Sequence, residues 1–236
     1  MERKEQLYEG KAKKVYATDD PQLIIVEYTD GAAAFHGRKK GTIAGKGSIN
    51  NRVSNDLMRL LEKQGIPTHL VEQLSDRETV IRKAQMIPLK VIVRNVVAGS
   101  LSTRIGMPEG TRLKSPVLEY NYKDDALGDP MINRFHALAL DLCAPEELAT
   151  IERYAFRAND ILRTRLQQLD IDLIDFKLEF GRLADGTIVL ADEISPDTCR
   201  FWDTETGERL DMDRFRRDMG GAEDAYQEVL HRLLEE

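Results

Sequence analysis

An α+β fold, with antiparallel sheets and flanking helices, is what this 236-residue sequence predicts, on three observations. Short β-type runs crowd the first part of the chain. Two later stretches carry long helical periodicity. Strands and helices come in runs rather than in strict alternation, which disfavours a doubly wound parallel sheet.

The elements follow in order. Ala12 to Thr18 and Leu23 to Tyr28 read as strands, separated by the turn cluster Asp19-Asp20-Pro21. After a Gly-rich stretch from Gly31 to Gly47, Val53, Leu57, Leu60 and Leu61 stand at helical spacing, and Gly65 and Pro67 stop that helix. Thr79 to Ala84 and Leu89 to Arg94 are further strands. Asn95 to Asp141, with Pro108, Pro116, Pro130 and several glycines, is expected to be mostly loop. A second long helix opens at Pro145, with Leu148, Ile151, Ala155, Ile161, Leu162, Leu166 and Leu169 as its apolar stripe. Two strands follow, then a polar tail and a closing helix, Ala222 to Leu234. A boundary near Met86 to Pro88 divides a smaller β-rich part, 1–87, from a larger α+β part, 88–236.

Composition narrows the function. Apolar residues at 42% and charged residues at 32% suffice for a core under a solvated surface. The net charge of −7 argues against a general nucleic-acid binder, though not against a local basic pocket for a small anion. No run approaches the ~18 apolar residues of a membrane span, and Met1 to Glu5 lacks the apolar stretch of a secretory signal. Cys143 and Cys199 form no CxxC pair, so two ordinary thiols in a reducing cytoplasm are expected.

The most informative stretch runs from Ile171 to Ile194. Strand periodicity puts Asp175, Lys177 and Glu179 on one face and Ile174, Phe176, Leu178 and Phe180 on the other. The apolar face must be buried, so the charged face points into a cleft or solvent. Asp185-Gly186 is a two-residue hairpin signal. With that turn Leu183 opposes Ile188 and Glu179 opposes Asp192. Like charges facing each other destabilise a sheet, and a divalent cation with oxygen ligands would compensate. The bland alternative is a solvated face on which Lys177 neutralises both carboxylates. The polar loop Ser195 to Arg200 favours the metal reading.

Other segments could handle phosphate. Gly10-Lys11-Ala12-Lys13-Lys14 leads into a strand: glycine permits close backbone approach and lysine brings a mobile charge. By itself it is more simply a basic edge strand. Arg94, followed by Ala98-Gly99-Ser100, suggests a strand, a turn and a helix capped by Ser100. A helix N-terminus with a bidentate arginine suits an anion; an ordinary turn with a surface arginine is the alternative. His36 lies in a segment, Ala34 to Lys40, that could close over a ligand, while His69 and His231 read as surface residues. No Ser/His/Asp or Cys/His set is recognisable.

Taken together these segments resemble the SAICAR synthetase family of de novo purine biosynthesis. The matching pieces are Tyr8 to Lys13, Gly45-Lys46-Gly47, Val93-Arg94-Asn95 with Ala98-Gly99-Ser100, Gly128 to Met131, Leu173 to Gly181 and Asp192 to Asp197. The resemblance implies a two-domain α+β fold distantly similar to protein kinases and ATP-grasp enzymes. It implies a ligase that uses ATP and Mg²⁺ to join L-aspartate to carboxyaminoimidazole ribotide, as a homo-oligomer, expected to be a dimer, acting in the cytoplasm. Carried over by position, Lys11, Ala12, Lys13, Val15 and Lys123 contact ATP, the adenine lies near Ala84 and Met86, and Glu179 and Asp192 hold magnesium. Arg94, Ser100 and Arg200 hold the ribotide phosphate. Asp175 and Lys177 face the imidazole carboxylate and, with Lys13, are the implied catalytic groups. Asp129, Arg216 and His36 lie toward the substrates. The sequence departs from the pattern at Lys90, where the family usually has Glu, at Ala33, and at His36. Two rivals share the nucleotide half of such a site: a kinase-like phosphotransferase with another acceptor, and a non-catalytic nucleotide-binding module.

Overall fold

The computed structural model describes residues 2–35 and 37–234, so His36 lies outside the described residues. A first antiparallel sheet has the order β1 (Arg3–Glu9), β2 (Lys13–Thr18), β3 (Leu23–Tyr28), then β7 (Glu78–Arg82) and β6 (Leu70–Gln73). Beside it, β4 (Gly31–Ala34) and β5 (Lys39–Thr42) form a two-stranded ladder. The helix α1 (Lys46–Lys63) links these strands.

A second sheet holds β10 (Met131–Ile132), β9 (Arg112–Tyr122), β8 (Gln85–Val96), β11 (Ile171–Arg182) and β12 (Ile188–Ala191), with β13 (Cys199–Asp203) also on β11. Its centre is β11. One edge pairs with β8; the other pairs with β13 along its first half and with β12 along its second. These pairings are all antiparallel, and the α+β expectation holds.

The apolar residues of β11 explain the core. Phe176, Leu178 and Phe180 are buried beneath α4 (Pro145–Gln167), whose Leu148, Ile151, Ala155, Leu162 and Leu166 share one cluster with them. Leu57 and Leu61 of α1 and Tyr226 and Val229 of α6 (Ala222–Leu234) join the same cluster. Burying each large side chain is worth roughly 1.5–3 kcal/mol. Among the described residues no helix is long and apolar enough to cross a membrane.

Four expectations are corrected. The stretch Asn95 to Asp141 is not mostly loop: it carries α2 (Ser100–Ile105), β9, β10 and α3 (Arg134–Ala139). Pro116 is tolerated within β9 because β10 covers that strand only at Tyr120 and Asn121, leaving an edge where a missing N–H costs little. Ser100 does not cap α2: the cap position is Gly99, and the Ser100 hydroxyl accepts a bond from Arg94 Nη2 at 3.2 Å. His69 is not a surface residue but is buried.

The fourth correction concerns the hairpin. The Leu183 N–H donates to the Thr187 carbonyl at 2.9 Å, and Gly186 has φ +86°. The loop is therefore Ala184-Asp185-Gly186, a three-residue turn with its glycine in the left-handed region. The extra residue shifts the register by one, so Glu179 opposes Ala191 instead of Asp192. Partners across a ladder share a face, and in extended backbone Asp192 would point to the apolar side. It does not, because β12 ends at Ala191 and Asp192 has φ +62°, which turns its side chain back.

Candidate active site

The site is built on two neighbouring strands. Lys90, Ile92 and Arg94 of β8 lie opposite Glu179, Lys177 and Asp175 of β11, all on the face away from the core. Above them opens a cleft of about 660 Å³, walled by Gly10 to Lys13, Lys123, Asp192, Asp197, Arg200 and Arg216.

At one end the carboxylates of Glu179 and Asp192 converge on Lys177, whose Nζ donates to Glu179 at 2.7 Å and to Asp192 at 2.5 Å. Lys123 pairs with Glu179, and Lys13 pairs with Asp192 and Glu193. Burial alone would lower the Lys177 pKa, but the carboxylates of Asp192 and Glu179 outweigh it and hold the ammonium firmly charged. For Asp192 burial pushes the other way from Lys13 and Lys177, and the lysines win, keeping it well below the usual carboxylate range. Lys11 stands further out, its ammonium 3.5 Å from Asp125.

At the other end Asp175 is buried between two guanidiniums, Arg94 at 2.6 Å and Arg200 at 2.9 Å. Arg200 also donates to Asp213 at 2.9 Å, and Arg216 donates to Asp213 at 2.7 Å and to the Asp197 carbonyl at 3.2 Å. Burial of Asp213 is outweighed by Arg200 and Arg216, so its pKa falls to about 2. Gly99 permits the approach of Arg200: a Cβ there would lie 2.5 Å from Arg200 Nη2, and φ is +52°. Asp129, also with φ in the left-handed region, accepts from Lys90 at 2.5 Å on the cleft wall.

Most of the expected site residues therefore share one cleft. Val15, Ala84, Met86 and Ser100 do not line it. Val15 packs with Val26, Tyr28 and Ile81. Ala84 and Met86 flank Gly181, two residues beyond Glu179, and so continue the lysine-rich end outward. Sequence reasoning assigned no role to several groups that matter here. Lys46 is fully buried and donates to Asp197 at 2.6 Å, and Tyr226 donates to the same carboxylate at 2.5 Å. Glu193 and Asp213 complete ion pairs at the two ends. The Gly45-Lys46-Gly47 triplet was the available signal for Lys46; nothing local marks Tyr226. His69 lies against the Asp192 backbone, and burial with the nearby Lys13 pushes its pKa down to about 4.

Among the described residues no three His, Cys, Asp or Glu side chains gather as a protein-only metal site would need. The pair Glu179 and Asp192 is a hard-oxygen donor set, which suits Mg²⁺, an ion that takes one or two carboxylates and completes its shell with phosphates and water.

Residues 6–233 match the family model described as SAICAR synthetase. A phosphoribosylaminoimidazole-succinocarboxamide synthase from Lachnoclostridium phytofermentans is 58% identical over 233 residues, 99% of each chain. Its counterpart from Clostridium botulinum (strain Alaska E43 / Type E3) is 56% identical, again over 99% of each chain. Among solved structures, a SAICAR synthetase (Type-2) in complex with ADP shares 48% identity at a TM-score of 0.95, covering 98% of each chain. The synthase of Ehrlichia chaffeensis superposes at a TM-score of 0.95 with 42% identity, covering 97% of this chain and 98% of that one.

Proposed function

We infer the working of the cleft from one premise: the chain belongs to the SAICAR synthetase family and is an ATP-dependent ligase of purine biosynthesis. It joins L-aspartate to the carboxylate of 5-aminoimidazole-4-carboxylate ribotide, releasing ADP and phosphate. A carboxylate resists amide formation because its oxygen would have to leave as oxide. Transfer of the γ-phosphoryl group of ATP to that oxygen makes an acyl phosphate and ADP. The aspartate amine then attacks the carbonyl carbon, and phosphate departs with the original carboxylate oxygen while the amine loses a proton.

The observation that carries the residue assignment is the single face of β11, with Glu179, Lys177 and Asp175 in a row between a lysine cluster and an arginine cluster. Lys11, Ala12, Lys13 and Lys123 hold the nucleotide phosphates, with Val15, Ala84 and Met86 on the adenine side. Glu179 and Asp192 hold Mg²⁺, which when bound supplies charge neutralisation at the transferring phosphoryl group. Lys13 and Lys177 orient that group. Arg94, Arg200 and Ser100 hold the ribotide phosphate. Asp175 orients their guanidiniums, while Asp129 and Arg216 lie toward the aspartate. The two-part reading also stands as a proposal: 1–87 covers the nucleotide and 88–236 carries the metal and substrate groups. The first sheet ends at Arg82 and the second begins at Gln85, which supports a division just ahead of that boundary, the boundary itself falling inside β8. Two buried free cysteines fit a reducing cytoplasm, and the family resemblance supports a homodimer.

A coupled ADP-release assay tests the assignment. Release requiring ribotide, aspartate and Mg²⁺ together supports it. Sustained, many-turnover ADP release without aspartate would instead mark a phosphotransferase, and no ATP consumption with all substrates present would mark a binding module.

A further inference from the structure

The arginine-rich end of the cleft is assembled from two segments. β13 supplies Arg200, and α5 (Asp213–Arg216) supplies Asp213 and Arg216. Between them the chain doubles back beside β13: the Asp203 N–H donates to the Glu208 carbonyl at 2.9 Å, and the Leu210 N–H donates to the Phe201 carbonyl at 2.8 Å. At the next residue, Asp211, a side chain takes over from the main chain. One of its carboxylate oxygens accepts from the Phe201 N–H at 2.9 Å, and the other accepts from the Asp213 N–H at 2.7 Å. Phe201 directly follows Arg200, and Asp213 is the carboxylate to which Arg200 Nε donates at 2.9 Å. Asp211 therefore fastens the main chain on both sides of that pair.

A charge is an expensive way to make such a bracket. Asp211 is completely buried, and the bonds it accepts come from neutral main-chain N–H groups. Burial and the neighbouring Asp213 push its carboxyl up to about 7, against the Asp213 N–H bond and the more distant Arg216 and Arg200. Neutral donors offset the cost of a buried charge only in part. A turn alone would be served by asparagine or serine, whose oxygen accepts from a nearby N–H. Here two N–H groups meet two different oxygens, and only a carboxylate presents two acceptor oxygens with no donor between them.

We propose that Asp211 is a positioning residue for the ribotide: by bracketing the main chain at Phe201 and Asp213 it fixes the Arg200–Asp213 pair, and with it the guanidinium that meets the ribotide phosphate. Arg200 lines the cleft and Asp211 does not, so Asp211 acts through Arg200 rather than on a substrate. The inference rests on the reading of Arg200 as a phosphate ligand.

The test is steady-state ADP release by the full chain at about pH 8, where the Asp211 carboxylate is mostly charged. Asp211→Asn keeps the shape of the side chain and sets an amide donor against one of the two main-chain donors. The expected result is a KM for the ribotide raised about tenfold, the worth of one such bond, with the KM for ATP unchanged. The same substitution in an Arg200→Ala background should change the ribotide KM by less than about twofold, because the two side chains act as one unit. An unchanged ribotide KM in Asp211→Asn overturns the proposal, as does a full rise added on top of that of Arg200→Ala. An equal rise in the KM for ATP overturns it too, since that would mark a general loosening of the fold. Should the Asn variant not fold, Asp211→Ser, which keeps an acceptor for the Asp213 N–H alone, is judged by the same results. If Arg200→Ala itself leaves the ribotide KM unchanged, the reading of Arg200 fails instead. A crystal structure of a folded Asp211 variant then still decides the positioning role: Arg200 Nε parted from Asp213 supports it, and the pair intact at 2.9 Å overturns it.

Discussion

Replacing Glu179 with glutamine removes one negative charge and leaves the shape of the side chain. The side chain is 4% exposed and takes bonds from Lys123 and Lys177. Lys177 keeps Asp192 at 2.5 Å after the change. Lys123 is 40% exposed and can turn its ammonium to water, so its pair contributes little to stability. The folded state should therefore lose only about 1–2 kcal/mol. In a chain of this size that lowers the melting temperature by less than about 8 °C. The chemistry loses far more, because the charge lies where the phosphoryl group transfers. A fall in kcat of at least about 10³-fold, near 4 kcal/mol on the barrier, is expected. Coupled ADP release at saturating substrates, run beside thermal unfolding by circular dichroism, measures both quantities. Full activity would refute the metal and phosphoryl role of Glu179. Loss of activity together with a collapse of the melting transition would show that the residue acts through stability.

Three further outcomes are expected. Arg200→Ala should mainly raise the KM for the ribotide, and an unchanged KM in steady-state assays would remove Arg200 from the phosphate clamp. Lys46→Met should cost about 3–5 kcal/mol in urea unfolding, because it strips one partner from a buried ion pair and leaves Asp197 with Tyr226; a loss below about 1 kcal/mol would be too small for such a pair. Asp213, held at about 2 in the folded state against 3.8 unfolded, stabilises the protein above pH 4 and loses that contribution as pH falls toward 2. Asp213→Asn should accordingly remove about 2 kcal/mol of the acid-side slope in urea titrations between those pH values, and an unchanged slope would refute the assignment.

The one-face arrangement of Asp175, Lys177 and Glu179 was legible because a period of two, written in alternating charge and grease, has one way to lie on a core. The helices at Pro145 and Ala222 were legible for the same reason at a different period. The strand β9 was not, since its proline and charges read as loop until a neighbouring strand supplies the pairing and leaves one edge free. The hairpin register failed by one residue because Asp185-Gly186 fits turns of two or three residues equally well, and local sequence does not choose between them.

What the chain's own order of residues determined is which side chains share a face and which face is buried, because strand and helix periods are local properties of the backbone. Tertiary structure alone decided which distant groups meet. Lys46 finds Asp197 across 151 positions, and Lys13 finds Asp192 across 179. Such encounters are set by the packing of whole elements, and the energy of a buried charge depends on a partner that no local pattern names.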